Sequence, residues 1–421
     1  MKHTPARFNY GWVVVGVAIT TMTLVYGIRH TFSVFYPSIL ADFGWRRGET
    51  AAILSVNLLV YGFFAPLAGN IADRWKPRRV MFLGAVLLGL ATAGCSLATR
   101  LWHFYVLFGL LVPVGSAFCG WPIFSPSLAN WFTRKRGLAL GLGQIGGGLS
   151  FVCGLLVEVL ITRLGWRSTF VAMAVVLMLF VLPLAVFLFR YRPADRLSRQ
   201  PAVPAYEPVH GSGDWTVLRA MKTFRLWLFV LAQSLFWGLG GYLILAHQVK
   251  FATDVGYSSL LAASVFALFG IFMITGQVSS LISDWIGREI TATLATVLVL
   301  VAVAALMSAA SGGVWLLYAY AILFGLGMGL FSPTVFAGTA DAFHGRYFGG
   351  ISGLLLAGMG VGGVVGPWLG GFLYDRTGSY SLPFIISAAC FIVACAGFWI
   401  AAPRRGPRSP RTPSGRLRSS P

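Results

Sequence analysis

A chain of 421 residues that is 57% hydrophobic, 14% aromatic and only 10% charged does not have the makeup of a water-soluble domain, where about a quarter of residues are charged. With a mean hydropathy of +0.78, so much apolar surface has to be solvated by lipid. A net charge of +20 would point to nucleic acid in a soluble protein, but in a membrane chain it is read loop by loop.

Apolar stretches long enough to cross a bilayer run near 11–36, 48–71, 80–99, 103–131, 137–161, 168–190, 226–249, 259–282, 290–310, 314–340, 347–373 and 381–402. The expectation is an all-α integral membrane protein with twelve transmembrane helices. Lys2 and Arg7 precede the first stretch and eleven more follow it, so helix 1 reads as retained rather than as a cleaved signal peptide. Arg29 and His30 lie deep in that first stretch. A charge there costs on the order of 2–3 kcal/mol if it faces lipid, so Arg29 is expected to face a wet cavity, the alternative being an arginine that snorkels to the outer interface.

Between helices 2 and 3 stands Gly69-Asn70-Ile71-Ala72-Asp73-Arg74-Trp75-Lys76-Pro77-Arg78-Arg79, a short charged turn between two apolar stretches. It has an echo in Ser280-Leu281-Ile282-Ser283-Asp284-Trp285-Ile286-Gly287-Arg288, with Asp284 standing where Asp73 stood. Arg136 and Arg346, Gly143 and Gly353, Gly148 and Gly358, and Gly115 and Gly325 are each 210 residues apart. The chain therefore reads as a doubled unit of two six-helix pseudo-symmetric bundles, 1–190 and 225–402. A polar, Pro-containing cytoplasmic linker (191–224) joins them, and a basic, disordered tail (403–421) follows.

Lys and Arg set the orientation. With the N-terminus inside, 24 of the 32 fall on the cytoplasmic side, whereas Arg46, Arg47, Arg100, Arg163, Arg167, Lys250 and Arg376 fall opposite. This places both termini in the cytoplasm of a multi-pass protein of the cell (inner or plasma) membrane. The basic charge is thereby explained as topology, with no nucleic-acid partner.

The glycine-rich runs Gly141-Leu142-Gly143-Gln144-Ile145-Gly146 and Gly358-Met359-Gly360-Val361-Gly362-Gly363 spell G-x-G-x-x-G, but neither follows a strand, so they are expected to pack helices closely rather than bind a dinucleotide. Cys95, Cys119, Cys153, Cys390 and Cys395 lie inside apolar stretches without metal-ligand spacing and read as reduced core thiols. No phosphate loop, no G-x-S-x-G elbow and no metal cluster stands in the chain, so no cofactor or metal is expected and an enzyme or primary pump is disfavoured.

Gly69 followed by Asp73, Arg74, Arg78 and Arg79 resembles the signature between helices 2 and 3 of the major facilitator superfamily, although Lys76 stands where that signature usually has Gly. Trp131-Phe132-Thr133-Arg134-Lys135-Arg136-Gly137-Leu138-Ala139-Leu140-Gly141 is similar to the entry to helix 5 of the monocarboxylate-porter-like and oxalate/formate-antiporter-like branch. Segments around Tyr10-Gly11-Trp12, Gly27-Ile28-Arg29-His30 and His247-Gln248-Val249-Lys250 look similar to that branch as well.

The resemblance implies alternating access by two rocking halves. It implies a cytoplasmic gate in which Asp73 meets the start of helix 11 near Tyr347 and Phe348, with Gly69, Arg74, Arg78, Arg134, Arg136, Asp284 and Arg288 as further members. It also places helices 1, 4, 7 and 10 around the cavity, which adds Trp121, Tyr242, His247, Phe331 and Thr334 to Arg29 and His30 as candidate substrate contacts. Porters of this branch carry an Arg and an acidic partner in helix 8, and residues 259–282 contain no charged residue. Glu158 and Asp341 are the carboxylates nearest the membrane interior.

The expected function is secondary active transport of a small, monocarboxylate-like organic anion by a monomer, coupled to a proton or a counter-anion. The alternative is transport or efflux of a neutral or hydrophobic solute, with a membrane enzyme or receptor as the more distant rival.

Overall fold

A computed structural model describes residues 10–132, 136–191, 215–343 and 348–402, with the side chains of 70, 73, 74, 129 and 136–138 excepted. Arg134, Arg346, Tyr347, most of the linker and the tail lie outside the described residues, as do the side chains of Asp73, Arg74 and Arg136.

Helices α1 (Gly11–Phe43), α2 (Arg47–Arg74), α3 (Pro77–Cys95) and α4 (Leu101–Leu128) are followed by an apolar run from Ala139 to Leu188. That run is 50 residues long, about 75 Å as one rod and more than twice the roughly 30 Å of bilayer hydrocarbon. It breaks at Gly165, whose φ of 78° and ψ of 159° leave the helical region, giving α5 (136–164) and α6 (166–188). Trp166 Nε1 and Arg167 donate to Asp42 at 2.7 and 2.9 Å, which ties the turn to the end of α1. After a short helix Val217–Met221 come α7 (Phe224–Asp254), α8 (Ser259–Ser279), α9 (Arg288–Gly312), α10 (Val314–Ala342), α11 (Phe348–Thr377) and α12 (Ser381–Ala401). Among the described residues these make twelve membrane helices, as the expected fold class has.

The halves meet along three seams: α2 with α11, α5 with α8, and the second part of α1 with α7. Both glycine runs work as packing surfaces. A methyl group on Gly146 would meet the Ile19 carbonyl of α1 at 2.5 Å, and one on Gly362 would meet the Ser234 carbonyl of α7 at 2.1 Å. Backbones this close leave no room for a side chain.

Two ends of the bundle can be distinguished. The terminal face carries Tyr10, Tyr191 and Ala402, where Tyr10 Oη donates to the Leu188 carbonyl at 2.7 Å. The distal face carries the α1–α2, α7–α8 and α11–α12 turns.

Candidate substrate site and its gates

Arg29 is only 5% exposed in the middle of the bundle. Its Nε donates to Asn57 Oδ1 at 2.8 Å, and its guanidinium lies 4.0 Å from the centre of the Tyr61 ring. The orientation of Asn57 is fixed by α4. Residues Tyr105–Leu111 form a π-helical turn in which the Val112 N–H bonds the Leu107 carbonyl, and Pro113, next in line, has no N–H. The Phe108 carbonyl therefore lacks its helical partner and accepts from Asn57 Nδ2 at 2.7 Å. An irregularity in α4 thus aims an amide oxygen at a buried cation. Among the described residues no carboxylate pairs with Arg29.

Around this core the aromatic hydroxyls join up. Tyr26 and Tyr61 share a hydrogen bond of 2.7 Å, and the backbone N–H of Trp121 donates to Tyr26 Oη at 3.0 Å. His30 stacks on Phe151 at 4.2 Å, and its Nδ1 is 2.7 Å from Ser150 Oγ. Because Ser150 gives its own hydrogen to the Gly147 carbonyl, the bond fits a ring protonated on Nδ1.

A cavity of about 10 Å³ opens beside Arg29 and His30, with Asn57 and Ser33 as its other polar groups and Leu54, Leu58, Leu245, Phe151, Phe266 and Tyr242 as walls. That is roughly the space of a single water molecule. An organic solute can enter only if the halves part.

The structure brings Arg29, His30 and Tyr242 to one cavity and leaves the other expected contacts outside it. Trp121 is half-buried behind Tyr26, its ring close to Gly143 of α5. Phe331 stacks on Phe236 at 3.6 Å inside the second half, and the Thr334 hydroxyl is used by the Leu330 carbonyl of its own helix at 2.8 Å. In place of helices 1, 4, 7 and 10, the walls come from α1, α2, α5, α7 and α8, because α4 and α10 turn these side chains into their own halves. Asn57, Ser33, Phe151 and Phe266 were not anticipated. Of these, Asn57 alone carries a sequence signal, a spacing: Tyr61 sits one helical turn from it, as Tyr26 does from Arg29 and His30.

His247 belongs to a second constellation, at the distal face. Its Nε2 is 2.8 Å from the Pro367 carbonyl of α11, and its ring meets that of Tyr36 edge-on. Next to it Arg47 of α2 reaches into the other half, where it pairs with Asp254, donates to Tyr380 Oη at 2.9 Å and covers the Tyr374 ring at 3.6 Å. Asp254 also holds Lys250. The Asp375 carboxylate accepts the backbone N–H groups of Arg47 and Gly48 at 3.0 and 2.8 Å, and Ser33 Oγ donates to the Leu245 carbonyl at 2.6 Å. Arg47 is inserted among aromatic rings that raise the Tyr380 hydroxyl's pKa by burial. The distal face is shut by polar bonds between the halves.

At the terminal face Arg288 pairs with Asp284 at 2.6 Å and with Asp341 at 3.1 Å, and donates to Ser283. These bonds close the second half on itself, joining α9 to the ends of α8 and α10, rather than reaching the first half. Arg78 donates to the Val186 carbonyl of α6 at 2.5 Å and faces outward, away from the seam on which the expected gate lies. Gly69 is half-buried, with the Pro122 carbonyl 3.9 Å from where its methyl would stand. Glu158 is buried on the α5–α8 seam, hydrogen-bonded to Ser259 and Thr162.

Comparison with known proteins agrees with this architecture. A family model described as Major Facilitator Superfamily matches residues 17–312 and 291–420. Monocarboxylate transporter 13 of Bos taurus is 29% identical over 413 residues, covering 95% of this chain and 91% of that protein. Monocarboxylate transporter 11 of Homo sapiens is 28% identical, with coverage of 96% and 85%. The probable sulfoacetate transporter SauU of Cupriavidus necator is 26% identical, with coverage of 98% on both sides. Among solved structures, a bacterial homologue of the human lysosomal transporter Spinster, inward-facing and unoccupied, superposes with a TM-score of 0.72 at 17% identity, covering 94% of this chain and 98% of that one. The chain belongs to the major facilitator superfamily and is a multi-pass membrane transporter, not an enzyme.

Proposed function

We propose that this transporter carries a small organic anion of the monocarboxylate class by secondary active alternating access, with Arg29 as the group that holds the anion. One observation carries the reading: a cation 5% exposed in the centre of the bundle, oriented by Asn57 and Tyr61, with no carboxylate partner among the described residues. A buried charge without a counter-ion is costly, and an anionic cargo would supply the missing charge. The relatives named for monocarboxylates and sulfoacetate are consistent with such a cargo. His30, Ser33 and Tyr242 would complete the polar contacts.

The halves 1–190 and 225–402 move as two bodies about the 191–224 linker in this reading. The distal lock around Arg47 parts in one state, and the terminal face closes through Asp73 and its basic neighbours in the other. Both termini are proposed to be cytoplasmic, on the strength of the Lys and Arg distribution. Coupling is to a proton or a counter-anion.

The apolar walls Leu54, Leu58, Leu245, Phe151 and Phe266 favour a second reading, in which the cargo is a neutral or hydrophobic solute. Counterflow of a labelled monocarboxylate into liposomes containing purified protein separates the two. Wild type should accumulate the anion and Arg29→Gln should not. Anion transport unchanged in Arg29→Gln would transfer the case to the neutral solute.

A further inference from the structure

At the terminal face, on the outside of the first half, α3 and the end of α6 enclose a groove of about 370 Å³ lined by Arg78, Arg79, Phe82, Leu83, Ala185 and Val186. Ligand pockets span roughly 300–1,000 Å³, so the groove has the size of a site rather than a crease. Its polarity is graded. Arg78 and Arg79 stand in the first turn of α3, and Phe82 and Leu83 follow one turn deeper on the same side of that helix. Phe82 is 40% and Leu83 54% exposed, so the deeper end is open to acyl chains, while the fully buried Ala185 provides the floor.

The two arginines are differently engaged. Val186 lies in the last turn of α6, where carbonyls have no helical partner, and Arg78 caps it with one Nη2–H at 2.5 Å. That bond anchors the guanidinium at the groove and leaves its remaining N–H groups for a second acceptor. The Arg79 side chain is exposed and has no ion pair or hydrogen bond among the described residues. Two guanidinium groups above an apolar trough, at the depth where a membrane helix begins, match the charge and shape of one lipid: phosphate at the arginines, chain along Phe82 and Leu83.

We propose that this groove is a binding site for a single acidic phospholipid, which bridges α3 and α6 and so braces the first half at its terminal face. It is separate from the central cavity and independent of which solute is carried. An arginine pair serving only as an interfacial anchor would need no groove; the trough beneath the charges is what makes the site selective for a lipid rather than for a charged surface in general.

Native mass spectrometry of the full chain in detergent, with phosphatidylglycerol or phosphatidylcholine added at equal levels, tests this. Wild type should retain one phosphatidylglycerol in preference to phosphatidylcholine. Arg79→Gln, which removes no bond of the fold, should cut that retention several-fold, and Arg78→Gln/Arg79→Gln should abolish the preference. Leu83→Trp, which fills the trough and keeps both arginines, should abolish it too, while Arg219→Gln/Lys222→Gln on the same face should keep it. Equal retention of the two lipids by wild type, unchanged retention in the arginine variants, or full retention in Leu83→Trp would each overturn the proposal.

Discussion

Arg29 and Asn57, on neighbouring helices of the first half, are joined by a bond of 2.8 Å from Nε to Oδ1 in a region almost closed to water. The amide is itself held by a carbonyl that a π-helical turn sets free. Position of the cation is therefore decided two shells away from any cargo.

Asn57→Ala should raise the KM for the anion with a smaller fall in maximal rate, because it frees the guanidinium without removing its charge. A hydrogen bond to a charged group contributes about 1.5–3 kcal/mol, which corresponds to roughly a 10- to 150-fold loss of affinity. Arg29→Lys should not restore transport in counterflow, since an ammonium can neither lie flat on Tyr61 nor keep the Nε bond.

Cutting the distal lock should expose the cavity from the distal side. In a background with the five native cysteines replaced, Ser33→Cys should react slowly with an impermeant thiol reagent added to that side, and several-fold faster once Arg47→Ala or Asp375→Asn is introduced. Unchanged labelling would mean that apolar packing, not these bonds, holds the halves together there.

Gly362→Ala is expected to be among the most damaging small changes, since its methyl would stand 2.1 Å from the Ser234 carbonyl. A loss of about 1–3 kcal/mol follows from overpacking, seen as a lower melting temperature in detergent. Gly141→Ala is the control. Nothing lies within 4 Å of its methyl, and alanine is the better helix former, so stability should hold or rise slightly.

Phe331→Ala should cost about 3–5 kcal/mol of stability through the cavity left against Phe236, and the protein that still folds should bind the anion with unchanged KM. A raised KM with normal stability would return Phe331 to the list of substrate contacts.

The twelve spans were legible because each needs some twenty apolar residues, a signal that survives any packing arrangement. Even the α5–α6 break could be read, from Arg163, Gly165 and Arg167 interrupting a run that hydropathy alone joins. Arg29 and His30 stood out as polar groups in an apolar stretch. Asn57, Tyr26 and Tyr61 did not, since uncharged polar and aromatic residues in a membrane helix look like packing until α1 and α2 are known to face each other.

The distal lock was invisible for another reason. Arg47, Asp254 and Asp375 read as ordinary loop charges, and their pairing spans more than 200 residues of chain. Helices 4 and 10 were assigned to the cavity by resemblance, and nothing in their own residues could show which side of each helix faces inward.

The torsion at Gly165 has a consequence that reaches the far end of the chain. It sets the direction of every later crossing: with the turn, the segment from α5 to α6 crosses twice and α7 starts again from the terminal face. A side chain at this position holds φ of 78° only under strain, about 1–3 kcal/mol, but the 50-residue run is far too long to cross once, so the turn stays and the strain falls on the Trp166 and Arg167 bonds to Asp42. A reporter fused after Pro421 should keep its side in Gly165→Ala while the melting temperature falls.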